Sequence, residues 1–172
     1  MRATAKLNQA GQSLWLDNIT RAMLDSGEIA HYVERYSVTG LTSNPSIFDK
    51  AIQSGDYDAD IREKASRGLS GEDLFFDLAI EDLRRAADLF LPIHERTDGV
   101  DGWVSLEVSP LLVHDTQRTI AAARTLYERA GRPNLLLKIP GTVEGRPAIE
   151  DCIASGIPVN VTLLFSTDQY RA

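Results

Sequence analysis

Of the 18 basic residues in this 172-residue chain only four are lysines: Lys6, Lys50, Lys64 and Lys138. Arginine supplies the rest of the positive charge, so a lysine in an unusual setting needs its own explanation. Lys138 interrupts Asn134-Leu-Leu-Leu-Lys-Ile-Pro-Gly141, a run too apolar for an exposed edge. Burying an ammonium is costly, and desolvation favours the neutral amine that can attack a carbonyl carbon. Arginine could supply an ion pair at such a place but cannot form an imine. The competing role is structural, a lysine reaching from a strand end or paired with Glu107.

Glu107 lies in Trp103-Val-Ser-Leu-Glu-Val-Ser109, a second apolar run. It could relay protons through a water during imine formation and hydrolysis, or serve only as a counter-ion. Asp17 ends Leu14-Trp-Leu-Asp17 and could take a hydroxyl proton as a carbon–carbon bond breaks. Its alternative is to cap the helix that follows. Asn44, before Pro45, has the form of an N-cap, with proline starting the helix. Asn160 and Thr162, in Val159-Asn-Val-Thr-Leu-Leu-Phe165, could hold a substrate hydroxyl and a water, or satisfy local backbone. His31, His94 and His114 lack metal-ligand spacing and are expected at the surface. Cys152 is expected to pack, not to react.

These residues sit in short apolar runs at 14–16, 38–41, 103–108, 135–139 and 159–164. Longer stretches of helical period separate the runs. Leu74, Leu78, Leu83, Ala87 and Phe90 form one apolar face, begun by Ser70 and Asp73. A second helix is expected over 116–130, between an Asp115 N-cap and Gly131. A third is expected from about 144 to 155, closed by Gly156. Alternation with crossovers of this length implies parallel strands, and hence either an open doubly wound sheet or a closed barrel. Strand residues two apart share a face, so Asp17 goes with Trp15, Thr42 with Asn44, Glu107 with Ser105, Lys138 with Leu136, and Asn160 with Thr162. Each strand thus carries polar groups near its C-terminal end. That distribution is expected of a parallel (β/α)8 barrel with chemistry at one mouth. No Gly-x-Gly-x-x-Gly or P-loop follows any strand, which weakens a nucleotide-binding reading.

Composition narrows the class. With 43% hydrophobic and 25% charged residues the chain has the make-up of a globular domain. A formal charge of −7 argues against nucleic acid as the main partner. One cysteine allows no internal disulfide and fits a reducing, cytoplasmic setting. No apolar run approaches the roughly 20 residues of a membrane span. Only five strands are found, against about 250 residues for a whole barrel of this kind. The expectation is therefore that 1–172 form the N-terminal portion of one barrel domain, about the first five βα units, with the C-terminal strands missing.

Five segments together resemble transaldolase, the class I Schiff-base family of the pentose phosphate pathway. They are Leu-Trp-Leu-Asp17, Gly40-Leu-Thr-Ser-Asn-Pro-Ser46, Val104-Ser-Leu-Glu-Val108, Leu136-Leu-Lys-Ile-Pro-Gly-Thr142 and Asn160-Val-Thr-Leu-Leu-Phe-Ser166. The long excursion from Asn44 to Trp103 looks like the larger, actinobacterial-type members and fits less well with the compact fructose-6-phosphate aldolases. The resemblance implies that Lys138 forms the Schiff base, that Glu107 and Thr162 hold a proton-shuttling water, and that Asp17 is the acid/base. It implies that Asn44 and Asn160 bind hydroxyls of a dihydroxyacetone unit, with Thr42 helping to orient the site. The unit would pass from a ketose phosphate, such as sedoheptulose 7-phosphate or fructose 6-phosphate, to an aldose phosphate, such as glyceraldehyde 3-phosphate or erythrose 4-phosphate. No metal or organic cofactor is implied. The family's phosphate-binding groups are expected beyond residue 172, on a C-terminal segment or second chain completing the barrel. The alternatives are an aldolase of the fructose-6-phosphate type and an inactive barrel fragment acting only in assembly.

Overall fold

The computed structural model describes residues 2–171. In chain order the first elements are α1 (Ala3–Gln9), β1 (Trp15–Leu16), α2 (Arg21–Asp25), α3 (Glu28–Tyr36) and β2 (Gly40–Thr42). Three helices fill the excursion that follows: α4 (Pro45–Ile52), α5 (Asp58–Ser66) and the long α6 (Gly71–Arg96). Then come β3 (Val104–Glu107), a 3-10 turn (Pro110–Leu112), α7 (Thr116–Ala130) and β4 (Leu135–Pro140). The last elements are α8 (Gly145–Ala154), β5 (Val159–Thr162) and α9 (Thr167–Arg171). Among the described residues no helix is long and apolar enough to cross a membrane.

The five strands form one sheet in the order β1-β2-β3-β4-β5, and every pairing is parallel. A doubly wound sheet reverses its strand order at a switch point, and this sheet has none. Successive neighbours joined through helices are the topology of a (β/α)8 barrel. The sheet also curls. Asn160 on β5 donates to the Ser105 hydroxyl on β3 at 3.2 Å, across the intervening β4. Strands lie about 4.8 Å apart, so perpendicular side chains two strands apart in a flat sheet would stay near 10 Å. Such short side chains meet only on a concave face.

Strand alternation decides which groups reach that face. On β4, Leu135, Leu137 and Ile139 are buried without exposure, while Leu136, Lys138 and Pro140 are partly open. On β3, Val104 and Leu106 join the core, leaving Ser105 and Glu107 on the other side. The core therefore lies between the sheet and its outer helices, with α6 packed on β3, α7 and α8 on β4, and α8 on β5. Small residues at the contact, Ala86, Ala87, Ala123, Ala130 and Ala148, let these helices approach closely. Each large aliphatic or phenyl side chain buried there contributes about 1.5–3 kcal/mol.

Local signals set the helix ends. Asp115 accepts from the Arg118 amide at 2.9 Å to cap α7, and Gly131 ends that helix at a left-handed φ of 56°. Ser70 stands at the N-cap of α6 but makes no side-chain cap there. Pro92 lies within α6 without ending it, and the helix runs on to Arg96. β5 is shorter than its apolar run suggests. Leu163 takes a left-handed φ of 61°, the chain leaves the sheet, and Phe165 is 84% exposed. Of the histidines, His31 and His114 are exposed as expected, but His94 is half-buried, edge-on against Trp103 and bonded to the Asp101 carbonyl at 3.2 Å.

The excursion between β2 and β3 has its own cluster and a polar anchor. Ala51, Tyr57 and Leu78 pack together, and beside them Tyr57 donates to Asp82 at 2.6 Å. Asp82 also accepts from Arg21 Nε at 2.9 Å, and the Arg21 guanidinium lies 4.7 Å from the centre of the Tyr57 ring. Arg21 is further paired with Asp60 and Glu81. Burial pushes the Asp82 carboxyl above the usual carboxylate range, against the opposing pull of Tyr57 and Arg21. Lys64 is buried too, between Asp77 at 2.6 Å and Glu81 at 2.5 Å.

Candidate active site

The concave face gathers the polar groups of four strands. Lys138 of β4 stands in register with Glu107 of β3 on one side and Asn160 of β5 on the other. Lys138 Nζ lies 3.4 Å from Glu107 Oε2, with the two side chains 12% and 22% exposed. It also donates to the Ser43 carbonyl at 3.0 Å. Lys138 Nζ therefore meets a carboxylate and a carbonyl, on the strand face that also carries Leu136. This pairing is the counter-ion role weighed for Glu107, and it also places a carboxylate beside an amine that could react.

Two buried serines brace the group. Ser43 follows β2, and its hydroxyl donates to the Ser105 carbonyl at 2.9 Å. Its backbone amide donates to the same oxygen at 3.3 Å. Ser105 in turn accepts the Asn160 amide on its hydroxyl. Sequence reasoning placed Ser105 on the face of Glu107 without giving it a task, and it passed over Ser43. Period-two alternation along β3 is the signal for the first. Nothing local marks the second, because its partners lie on β3 and β4.

The other residues lie at or just past the C-terminal ends of strands, and none is hydrogen-bonded to Lys138 among the described residues. Thr42 ends β2, and Thr162 ends β5 in register with Pro140. The Thr162 hydroxyl is buried and has no hydrogen-bond partner among the described residues. Asn44 does cap α4: its side-chain oxygen accepts from the Ile47 amide at 2.9 Å, which leaves the NH2 end of the amide for other work. Asp17 follows β1 and is exposed. Its capping alternative is not taken, because Thr20 caps α2 by accepting from the Met23 amide at 3.1 Å. Cys152 is fully buried on α8, and burial pushes its thiol up, which suits packing. Among the described residues no group of three or more His, Cys, Asp or Glu is placed to hold a metal ion.

The chain is similar to known proteins along nearly its whole length. The family model described as Transaldolase/Fructose-6-phosphate aldolase matches residues 14–172. A transaldolase of Thermobifida fusca is 52% identical over 97% of this chain and 46% of its own length. A transaldolase of Saccharopolyspora erythraea is 51% identical over 96% of this chain and 45% of its own. A protein named transaldolase 2 from Nostoc punctiforme is 46% identical over 96% of this chain and 44% of its own. The chain thus spans a little under half the length of the curated relatives it matches. With a lysine and a glutamate side by side on a sequentially ordered parallel sheet, and a family match running from the first strand onward, this chain belongs to the transaldolase/fructose-6-phosphate aldolase family.

Proposed function

We propose that this chain carries the imine-forming half of a transaldolase active site. In this reading its five βα units are the N-terminal portion of a single (β/α)8 barrel. The observation that carries the proposal is Lys138, an amine on the concave face of an apolar strand, 3.4 Å from a carboxylate and flanked in register by Asn160. A neutral Lys138 amine adds to the carbonyl carbon of a ketose phosphate, and loss of water leaves a protonated imine. Glu107 is placed to hand protons to and from that water, and the unpartnered Thr162 hydroxyl can hold it. Asp17 takes the proton of the hydroxyl next to the breaking bond as an aldose phosphate departs. The electron pair is held by the imine as an enamine, which then adds to a second aldose phosphate, and hydrolysis frees Lys138. Asn160 and the NH2 end of Asn44 bind hydroxyls of the three-carbon unit, and Thr42 lines the same rim. The imine is itself the electron sink, so the scheme uses no metal or organic cofactor, and the setting is the cytoplasm.

Borohydride trapping tests the assignment. The chain is joined to the C-terminal half of the Thermobifida fusca relative and incubated with fructose 6-phosphate and borohydride. A three-carbon adduct on Lys138 is expected in peptide mass spectra. Lys138→Arg keeps the charge and should abolish both adduct and turnover. An adduct on Lys6, Lys50 or Lys64 instead, or no adduct at all, overturns the proposal.

A further inference from the structure

We infer that Ser43 is a positioning residue for Lys138: its hydroxyl pins the peptide whose carbonyl orients the reactive amine. The inference rests on Lys138 being the imine-forming group. Ser43 is fully buried and lies just past β2, where the ladder to β3 ends. A ladder needs only its amide, which donates to the Ser105 carbonyl at 3.3 Å. The hydroxyl adds a second bond to that same oxygen at 2.9 Å, so both lone pairs of the Ser105 carbonyl are used by one residue. Held at two points, the Ser43 unit presents its own carbonyl to Lys138 Nζ at 3.0 Å.

The consequence for reactivity follows from counting hydrogens. A neutral amine has two N–H bonds and one lone pair. With one hydrogen on the Ser43 carbonyl and the other toward Glu107, the lone pair is aimed away from both acceptors. The protonated imine keeps a single N–H, for which the same carbonyl remains an acceptor. Any residue supplies a carbonyl at position 43, but only one with a hydroxyl locks it this way. Through Ser105 the same brace reaches Asn160, so amine and amide are registered against one another.

The test compares Ser43→Ala and Ser43→Thr with the unaltered chain, each joined to the C-terminal half of the Thermobifida fusca relative, in two reactions resolved by peptide mass spectrometry. In the first, dihydroxyacetone and cyanoborohydride report oriented imine formation at Lys138. In the second, acetic anhydride reports simple release of the amine, with buried Lys64 as the internal control. Ser43→Ala should slow trapping about 10-fold, since small misplacements of reacting groups are costly. It should also raise acetylation of Lys138 relative to Lys64 several-fold, and Ser43→Thr should restore both. Should Ser43→Ala lose its melting transition, Ser43→Cys, similar in size with a weak donor, takes its place. An unchanged Lys138 acetylation ratio overturns the inference, as does failure of threonine to rescue. If the unaltered chain gives no adduct on Lys138 while the ratio still responds to Ser43→Ala, the imine assignment fails and the brace stands.

Discussion

Replacing Asp82 with alanine measures how firmly the excursion between β2 and β3 is anchored. The carboxylate is fully buried and accepts from Tyr57 at 2.6 Å and from Arg21 at 2.9 Å. Hydrogen bonds to a charged group contribute about 1.5–3 kcal/mol each, a gross loss of about 3–6 kcal/mol. Two effects reduce it. Arg21 keeps Asp60 and Glu81, so its guanidinium is not left bare, and the variant no longer has to desolvate a carboxylate. One effect adds to it: the Tyr57 hydroxyl still accepts from the Arg21 amide at 3.1 Å but loses the acceptor for its own proton. The expected net loss is about 3 kcal/mol, at the lower end for one-sided removal of a buried charge partner. For a chain of this size that lowers the melting temperature by roughly 6–12 °C. Circular dichroism melts and urea titrations at neutral pH provide the measurement. Tyr57→Phe should lose about 2 kcal/mol, and the double variant should show coupling of at least about 1 kcal/mol because the two share a bond. An Asp82→Leu chain as stable as the original would refute the reasoning, since burial of the charge would then oppose folding as strongly as its bonds favour it.

Three further outcomes are expected. In the completed barrel Glu107→Gln should lower turnover roughly 10²–10⁴-fold while the fold persists; near-normal turnover with lowered stability would leave Glu107 a counter-ion only. Asp77→Asn should lose about 1 kcal/mol at neutral pH, because Lys64 keeps Glu81 and the pair is partly exposed. The hydrogen bond from Lys64 holds the Asp77 carboxyl below its usual range, so this contribution is present above the ordinary carboxylate pKa and lost as pH falls through the lowered folded value. Urea titrations should therefore show the gap between the two chains closing in acid, and a gap that widens contradicts the sign. Gly40→Ala should lose about 1–3 kcal/mol, because an added Cβ would stand 2.5 Å from the Trp15 indole. Trp15→Leu should relieve most of that loss, read by thermal melts of both variants.

What the sequence made legible was whatever depends on period and on neighbours within one turn. Alternation in Leu135-Leu-Leu-Lys-Ile-Pro140 puts Lys138 on one face with Leu136, and the structure agrees. Asp115 and Gly131 mark the ends of α7 because caps act within three or four residues. Asp17 was weighed as a cap in the same local terms, and there Thr20, one residue before α2, does the capping. The buried polar network was not legible, because Arg21 and Asp82 are 61 positions apart and only tertiary packing joins them. Lys64 shows the same limit: it sits buried against Asp77 and Glu81, which lie on another helix, α6. Ser43 is the sharpest case, since the polar motif around it gives no sign that its carbonyl would meet a lysine 95 positions on.

The monotonic strand order has a bearing on how the protein is made. Each strand pairs only with the strand before and the strand after it in the chain. Within these five strands no pairing waits beyond the next strand in the chain, so each unit can dock on the one before it as it leaves the ribosome, at roughly 5–20 residues per second. Docking of β4 brings Lys138 beside Glu107 and Ser43 before β5 with Asn160 can join the sheet. The partners of the ammonium thus all lie on or just past earlier strands, and its pairing does not depend on β5.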